Sequence, residues 1–506
     1  MLFEENNQFI EMKSAEQKVV DSTVGAENGL NETKRPNPGI GKRHLQSLLL
    51  ALCVFCGYLQ RVNLSVTIVA MTKFKNAVDE KQIHGFPTYD WGNDIRSYLH
   101  AAFFLGYFVM NLPAAWLGVH FNLKMLLMVT FLINGVLSCC TPFLINFTYT
   151  GTNDILLQIK SWAGIGNWRA LVVLRAIQGI LQAFMLPTIH AISAKWAPPN
   201  ERGRLVGFIM GGIPFGTMVT LAGSGLLAGN SYLGWPSVFY VSGAFGLIWS
   251  LFWAWFGSSS PATHSTISSQ EYNYITSELP IDKTKKKVPW FEILTSLHVW
   301  AIIVAHTTHN WGFWLLLSEM PTFLHVVSGF NIKSDGLLSS TPYATMWLLQ
   351  FPVMWIADGL NKKGITSITA SRKIWTSIGQ WGGAIGLIAL GYLNNNTAAA
   401  VAFYIAVIGI GCCCNVGFHL NHMDLTPNYS GILMGLSNAF AATGGLGAPL
   451  LFSYFVHDVS SVGEWRIVFY LGAGILFFGN LFFVIFASSK TQQWNNKYTC
   501  TPSHES

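Results

Sequence analysis

Pro199-Asn200-Glu201-Arg202-Gly203-Arg204-Leu205-Val206-Gly207 and Pro427-Asn428-Tyr429-Ser430-Gly431-Ile432-Leu433-Met434-Gly435 are one phrase written twice. The shared frame is Pro-Asn-x-x-Gly-x-Leu-x-Gly, at an offset of 228 residues. A second phrase, Trp235-x-x-Val238-Phe239-Tyr240, returns as Trp465-x-x-Val468-Phe469-Tyr470 at an offset of 230. Two phrases in one order at nearly one offset mark a duplicated unit of about half the chain. Both adjoin long apolar runs. A membrane protein made of two parallel repeats has the plan of a secondary transporter, with its site where the halves meet.

Composition agrees. The chain of 506 residues is 51% hydrophobic and 11% charged, against about 25% charged in a soluble domain. The deficit runs the whole length, as expected of an all-α, polytopic membrane protein. Twelve apolar spans are predicted at 45–71, 97–119, 124–145, 171–196, 205–228, 236–257, 298–325, 337–357, 374–393, 398–420, 431–456 and 466–487. The expected organisation is a disordered N-terminus (1–43), a six-helix bundle (44–257), a central loop (258–297), a second six-helix bundle (298–487) and a tail (488–506). The first 43 residues are polar, and the first apolar run is too long for a cleavable signal peptide.

With both termini and the central loop on the cytoplasmic side, the cytoplasmic segments hold 20 Lys and Arg and the opposite segments eight. That asymmetry fixes the expected orientation. The net charge of +6 is thereby topological, and Lys283-Thr-Lys285-Lys286-Lys287 reads as an anchor facing anionic lipid; no nucleic-acid partner is expected. Asn146 and Asn395 open sequons on the non-cytoplasmic side, where glycosylation is open; Asn31 and Asn428 open sequons facing the cytoplasm, and Asn63 lies within span 1. Cys53 and Cys56 read as packing residues, since no second ligand pair accompanies them.

Arg61 lies deep in span 1, and hydrocarbon makes that placement costly by at least ~2.5 kcal/mol. A planar, always-charged fork there suits a carboxylate or phosphate; an intramembrane ion pair is the alternative. Arg175, Gln178 and Gln182 share a face of span 4 as a polar stripe, a cavity wall unless Arg175 is an interfacial anchor. His100, Phe104, Tyr107 and Asn111 share a face of span 2. His306, His309 and Asn310 cluster in span 7 beside Trp311 and Trp314, as site lining or as interhelical hydrogen bonds. Glu319 is the one acid well inside a span; it is either a cation site or a solvated residue near the end of the helix. His422 and Asp424 close span 10 and could form a gate with Arg202 or Arg204.

Several of these residues sit in phrases of a known family. Arg61-Val-Asn-Leu-Ser-Val66, His100-Ala-Ala-Phe-Phe-Leu-Gly-Tyr107, Lys195-Trp-Ala-Pro-Pro-Asn-Glu-Arg202, His309-Asn-Trp311, Gly336-Leu-Leu-Ser-Ser340, Asn421-His-Met-Asp424 and Gly463-Glu-Trp465 occur in order over about residues 45–490. This pattern resembles the anion:cation symporter branch of the major facilitator superfamily, which holds sialin, the vesicular glutamate transporters and the type I sodium-phosphate cotransporters. The resemblance implies the major facilitator fold, with 12 transmembrane helices in two six-helix halves. It implies substrate arginines at Arg61 and Arg175 and a functional histidine at His100. The reading of the spans adds Tyr107, His309 and Asn310 as candidate substrate residues, and Glu319, Gln178, Gln182, His422, Asp424 and Arg202 as candidate coupling or gating residues. Gln178 and Gln182 stand where sialin carries acids; neutral amides cannot cycle a proton. His309 stands where the glutamate transporters carry arginine. The loop Gly118-Val-His-Phe-Asn-Leu-Lys124 departs from the superfamily's usual Asp and Arg pattern, so its latch is expected to differ.

The resulting expectation is a monomeric transporter, not an enzyme, that carries a small anion by alternating access. Sodium-dependent inorganic phosphate cotransport is the first reading, with Na+ preferred over H+ or Cl− as the coupling ion and no cofactor. An organic anion (urate, sialic acid or an acidic amino acid), driven by potential, chloride or protons, is the second. A substrate-sensing receptor is the alternative from another class. The lack of an acidic dileucine signal favours the plasma membrane over lysosomes or vesicles.

Overall fold

Hydrocarbon offers no partner for a backbone N–H or C=O, so each apolar run must satisfy its own as a helix. The computed structural model describes residues 39–71, 93–150, 167–230, 232–278, 288–328, 332–392, 397–457 and 461–496, with Phe86, Thr88, Tyr89 and Trp91. The first 38 residues, Lys283, Lys285 to Lys287, Asn395 and the side chain of Asn146 lie outside the described residues.

The first half contains α1 (Lys42–Met71), α2 (Asn93–His120), α3 (Leu123–Thr150), α4 (Asn167–Gln182), α5 (Met185–Trp196), α6 (Arg202–Met210), α7 (Gly212–Ala228) and α8 (Gly234–Phe256). Short helices α9 (Ser269–Glu278) and α10 (Trp290–Thr295) lie in the polar break. The second half contains α11 (Leu297–Ser328), α12 (Ile332–Lys362), α13 (Ile368–Leu390), α14 (Thr397–Ile410), α15 (Cys413–Val416), α16 (Phe418–Leu425), α17 (Ser430–Phe455) and α18 (Val462–Phe486). Predicted spans 4, 5 and 10 are each broken: at Ala183–Phe184, at Gly211, and at Gly411–Cys412 and Gly417. Among the described residues eight spans, counting each broken one once, are long and apolar enough to cross a membrane. Four further helices, α11, α12, α13 and α17, have the length with a more polar complement.

Helix pairing repeats as the sequence does. α1 packs on α7 as α11 packs on α17; α3 packs on α8 as α13 packs on α18; α2 packs on α4 as α12 packs on α14. The halves then meet reciprocally, α2 and α5 against α17, and α12 against α6 and α7.

The duplicated phrase lies at that junction. A Cβ on Gly203 would strike the Asp358 carboxylate, and one on Gly207 would strike the Met354 sulfur. One on Gly431 would press on the Pro187 carbonyl and Ala191, and one on Gly435 on Ala115. Each copy of the phrase thus removes side chains where one half approaches the backbone or side chains of the other. The Gln350 amide donates across the same seam to the Gly207 carbonyl. These contacts close the end of the bundle where α1 begins, here called the basic end.

The central segment is not only a loop. Glu271 on α9 accepts the Lys42 and Arg43 backbone N–H groups at 2.9 and 3.0 Å, capping α1 from a distant part of the chain. The Arg43 side chain donates to Glu271 at 3.1 Å and to Glu201 at 2.8 Å. The start of the predicted tail is also docked: the Asn495 side-chain oxygen accepts from Thr426 Oγ1 at 2.7 Å and from the Asn428 backbone N–H at 3.1 Å.

Filling the seam tests its tightness. Overpacking of this kind costs about 1–3 kcal/mol. Gly435→Val should lower the melting midpoint of the purified protein by several degrees. Gly223→Val, in open space, should leave it within about one degree.

Candidate functional site

The middle of the bundle holds two arginines and a ring of aromatics. Arg61 on α1 is buried, with its guanidinium carbon 4.1 Å from the centre of the Tyr107 ring, 5.1 Å from Phe103, 5.3 Å from Tyr58, 5.8 Å from Phe104 and 6.0 Å from Trp314. Such faces attract a cation but accept no conventional hydrogen bond. Among the described residues Nη1 contacts the Tyr58 hydroxyl at 3.5 Å and Tyr107 interacts electrostatically with the guanidinium, while Nε and Nη2 have no hydrogen-bond partner. These two donors share one edge of the guanidinium, the edge that grips a two-oxygen anion side-on.

Arg175 on α4 is 1% exposed. Its Nη1 donates to Gln178 Oε1 at 3.1 Å, to the Gln60 carbonyl at 3.3 Å and to Asn63 Oδ1 at 3.5 Å. Its Nη2 donates to the Arg61 carbonyl at 3.3 Å, and its Nε is unpartnered. Phe103 stands between the two cations, 5.3 Å from the Arg175 carbon. Among the described residues neither arginine has a carboxylate partner.

The stripe on α4 therefore divides its work. Gln178 orients Arg175, while Gln182 Nε2 donates to the Gly57 carbonyl at 3.0 Å and ties α4 to α1. His100 is partly buried on α2, within electrostatic reach of Arg175. Tyr107 lies under Arg61 and accepts from Asn438 Nδ2 at 2.5 Å; Asn111 Oδ1 accepts from the same amide at 2.7 Å. The site on one half is thereby tied to α17 of the other.

Span 7 contributes differently from expectation. Trp314 packs edge-on against Phe104, ring centres 4.6 Å apart, and reaches over Arg61. His309 instead packs against Phe418 at 5.6 Å, and Asn310 Nδ2 donates to the His306 carbonyl at 3.1 Å. Glu319 is partly buried farther along α11.

At the basic end, Asp424 accepts from Arg202 Nη1 at 3.2 Å, joining the halves, and from Arg372 Nε at 2.8 Å. Arg204 pairs with Asp358 at 3.5 Å and Glu201 at 3.7 Å. Arg372 was hidden in the sequence because charged residues were assigned to the loop before span 9. Ser367 gave the missed signal: its Oγ caps α13 by accepting the Ala370 N–H at 3.2 Å, placing Arg372 inside the helix. His422 belongs to a separate histidine group described below. Among the described residues no His, Cys, Asp or Glu group is arranged to hold a metal, and Cys53 and Cys56 are buried free thiols.

Two helical halves around a buried, two-arginine centre have the plan of a membrane transporter. The chain belongs to the Major Facilitator Superfamily, whose family model matches residues 50–449. Within it, the chain falls in the anion:cation symporter branch. It is 35% identical to sialin of Homo sapiens over 466 residues, covering 88% of this chain and 90% of sialin. It is 34% identical to the "Putative inorganic phosphate cotransporter" of Drosophila melanogaster over 486 residues, covering 92% and 88%. It is 30% identical to vesicular glutamate transporter 2 of Homo sapiens over 466 residues, covering 90% and 76%. The solved structure of the proton:xylose symporter XylE superposes with a TM-score of 0.64 at 15% identity, covering 88% of this chain and 96% of that one, and so shares the fold.

Asp424 holds two buried arginines, so neutralising it should be costly. Removing one partner of a buried ion pair costs about 3–5 kcal/mol. Asp424→Asn should therefore melt several degrees below wild type in detergent; a melt within about one degree would show that this network does not hold the end closed.

Proposed function

We propose that this protein carries small anions across a membrane by alternating access, with the anion held between Arg61 and Arg175. One observation carries the reading: two buried guanidiniums lack a carboxylate among the described residues, and one keeps a complete bidentate edge unpartnered. Burying an unpaired charge is expensive, and an anion spanning both cations offsets that cost when it binds.

The walls favour an organic anion. Arg61 Nε and Nη2 suit a carboxylate, and Tyr58, Phe103, Phe104, Tyr107 and Trp314 offer faces to a flat or apolar body. Inorganic phosphate presents oxygens in every direction, and aromatic faces donate to none of them. Sodium-driven phosphate cotransport is the second reading, supported by the printed name of the Drosophila relative. Gln178 serves Arg175 and Gln182 binds backbone, so neither amide carries a proton. Glu319 is the candidate for a coupling cation such as sodium. The basic end faces the cytoplasm by its Lys and Arg content, with both termini on that side. A monomer at the plasma membrane completes the reading.

Uptake into proteoliposomes tests it, with labelled urate, sialic acid and phosphate, and with sodium, protons and chloride varied singly. A charge-assisted bidentate contact is worth about 1.5–3 kcal/mol, so Arg61→Lys should lower uptake about 10- to 100-fold with normal folding. Unchanged uptake by Arg61→Lys would reject the site. Transport of phosphate alone among these anions would reject the organic reading.

A second prediction concerns Glu319. Glu319→Gln should keep anion exchange and lose accumulation driven by the cation. Counterflow and ion-driven uptake in one preparation separate the two; equal behaviour of variant and wild type in both would remove Glu319 from coupling.

A further inference from the structure

Four imidazoles meet between the arginine site and the Asp424 network. His190 comes from α5 in the first half; His306 on α11, and His419 and His422 on α16, come from the second. They are 0%, 2%, 5% and 0% exposed. The His190 ring centre lies 5.6 Å from that of His422 and 6.5 Å from that of His419. His306 lies 4.9 Å from His419 and 6.0 Å from His422.

Their hydrogen bonds run in one direction. His422 Nδ1 faces the His419 carbonyl at 3.0 Å and must donate to it. Neutral His422 then accepts at Nε2, 2.7 Å from the Ser437 hydroxyl. Ser437 Oγ accepts from His306 Nδ1 at 3.0 Å, and its one proton faces both His422 Nε2 and the Met434 carbonyl at 3.2 Å. His190 stands outside this chain. Among the described residues both its nitrogens are buried without a hydrogen-bond partner, as is His419 Nδ1. A neutral imidazole carries one donor and one acceptor, so His190 leaves two needs unmet while the halves are closed.

Among the described residues no carboxylate pairs with the cluster. On α11, His309 is the titratable group within electrostatic reach of His306, with His298 and Glu319 farther along the helix. Asp424, on α16, is already shared by Arg202 of α6 and Arg372 of α13. α17 presents the neutral Ser437 and Asn438 to this region, and α5 carries Lys195 farther along. The nearest fixed charges among these are thus two cations and the one carboxylate they neutralise.

We propose that His190, His306, His419 and His422 form a proton-binding site split between the halves, which lock together while it is neutral and part when it is protonated. A proton on any imidazole of the closed cluster is buried beside three others with no anion to balance it. Separation of the halves at the basic end carries His190 away from His419 and His422 and lets water solvate the charge. A ligand that binds the parted state better shifts the population toward it. The proton comes from the water at that end and returns there on deprotonation, which lets the halves close. This proposal rests on the alternating-access reading but not on the anion.

The test measures the separation of the halves directly, without substrate. Spin labels at Ala262 and Lys363, both exposed at the basic end on opposite halves, report it by pulsed electron resonance in lipid nanodiscs. As pH falls from about 8 to about 5, the range in which imidazoles titrate, wild type should shift toward longer distances. His190→Gln and His419→Asn should each keep one distribution at both pH values. No anion is present in this measurement, so its outcome is independent of the uptake assays, and failure of the anion site and failure of this proposal are distinguishable. A wild-type distribution that does not move would overturn the proposal. So would a full shift that persists in both histidine variants, which would assign the response to Asp424 or Asp358.

Discussion

Two guanidiniums held in a buried space without a carboxylate are the constraint on which the rest of this structure turns. An arginine cannot shed its charge as a lysine can, so the protein must stabilise Arg61 and Arg175 by other means. Arg175 is held by carbonyls and amides, with four oxygen acceptors from α1 and α4. Arg61 is held by aromatic faces. The second solution leaves two donors of Arg61 free, Nε and Nη2, while Arg175 keeps one, its Nε.

The same residues tie the site to the movement that alternating access requires. Tyr107 carries Arg61 on its face and accepts Asn438 of the other half at its hydroxyl. An anion that draws Arg61 away from the ring acts on a residue already bonded across the seam. Beyond that bond the seam runs through the histidine group to Asp424, and the duplicated glycines let the halves approach closely along its length. Site, histidine group and ion pair are thus three layers along one junction between packed, bistable bodies.

Much of this was legible in the chain. The repeated phrases pointed to two halves, and their glycines stand where helices of the two halves meet closely. Helical periodicity placed Arg175, Gln178 and Gln182 on one face, and Gln178 indeed meets Arg175. The sequence left Arg202 and Arg204 open as partners of Asp424; Asp424 meets Arg202, and Arg204 pairs with Asp358 instead. Periodicity gives one helix's face but not the face it meets, so Trp314 over Arg61 and His309 against Phe418 were not distinguishable in advance. Glu271 capping α1 joins residues far apart in sequence, which no local pattern encodes. Arg372 was lost to a boundary rule, and His190 and His419 carry no local pattern that marks them before the helices are brought together.

The central claim is that the free edge of Arg61 receives the anion. An experimental structure with the transported anion bound tests it most directly. The account predicts two anion oxygens within about 3 Å of Arg61 Nε and Nη2, with the body of the anion against Tyr107 or Trp314. An anion seated elsewhere, with that edge of Arg61 engaged by a protein carboxylate, would contradict it.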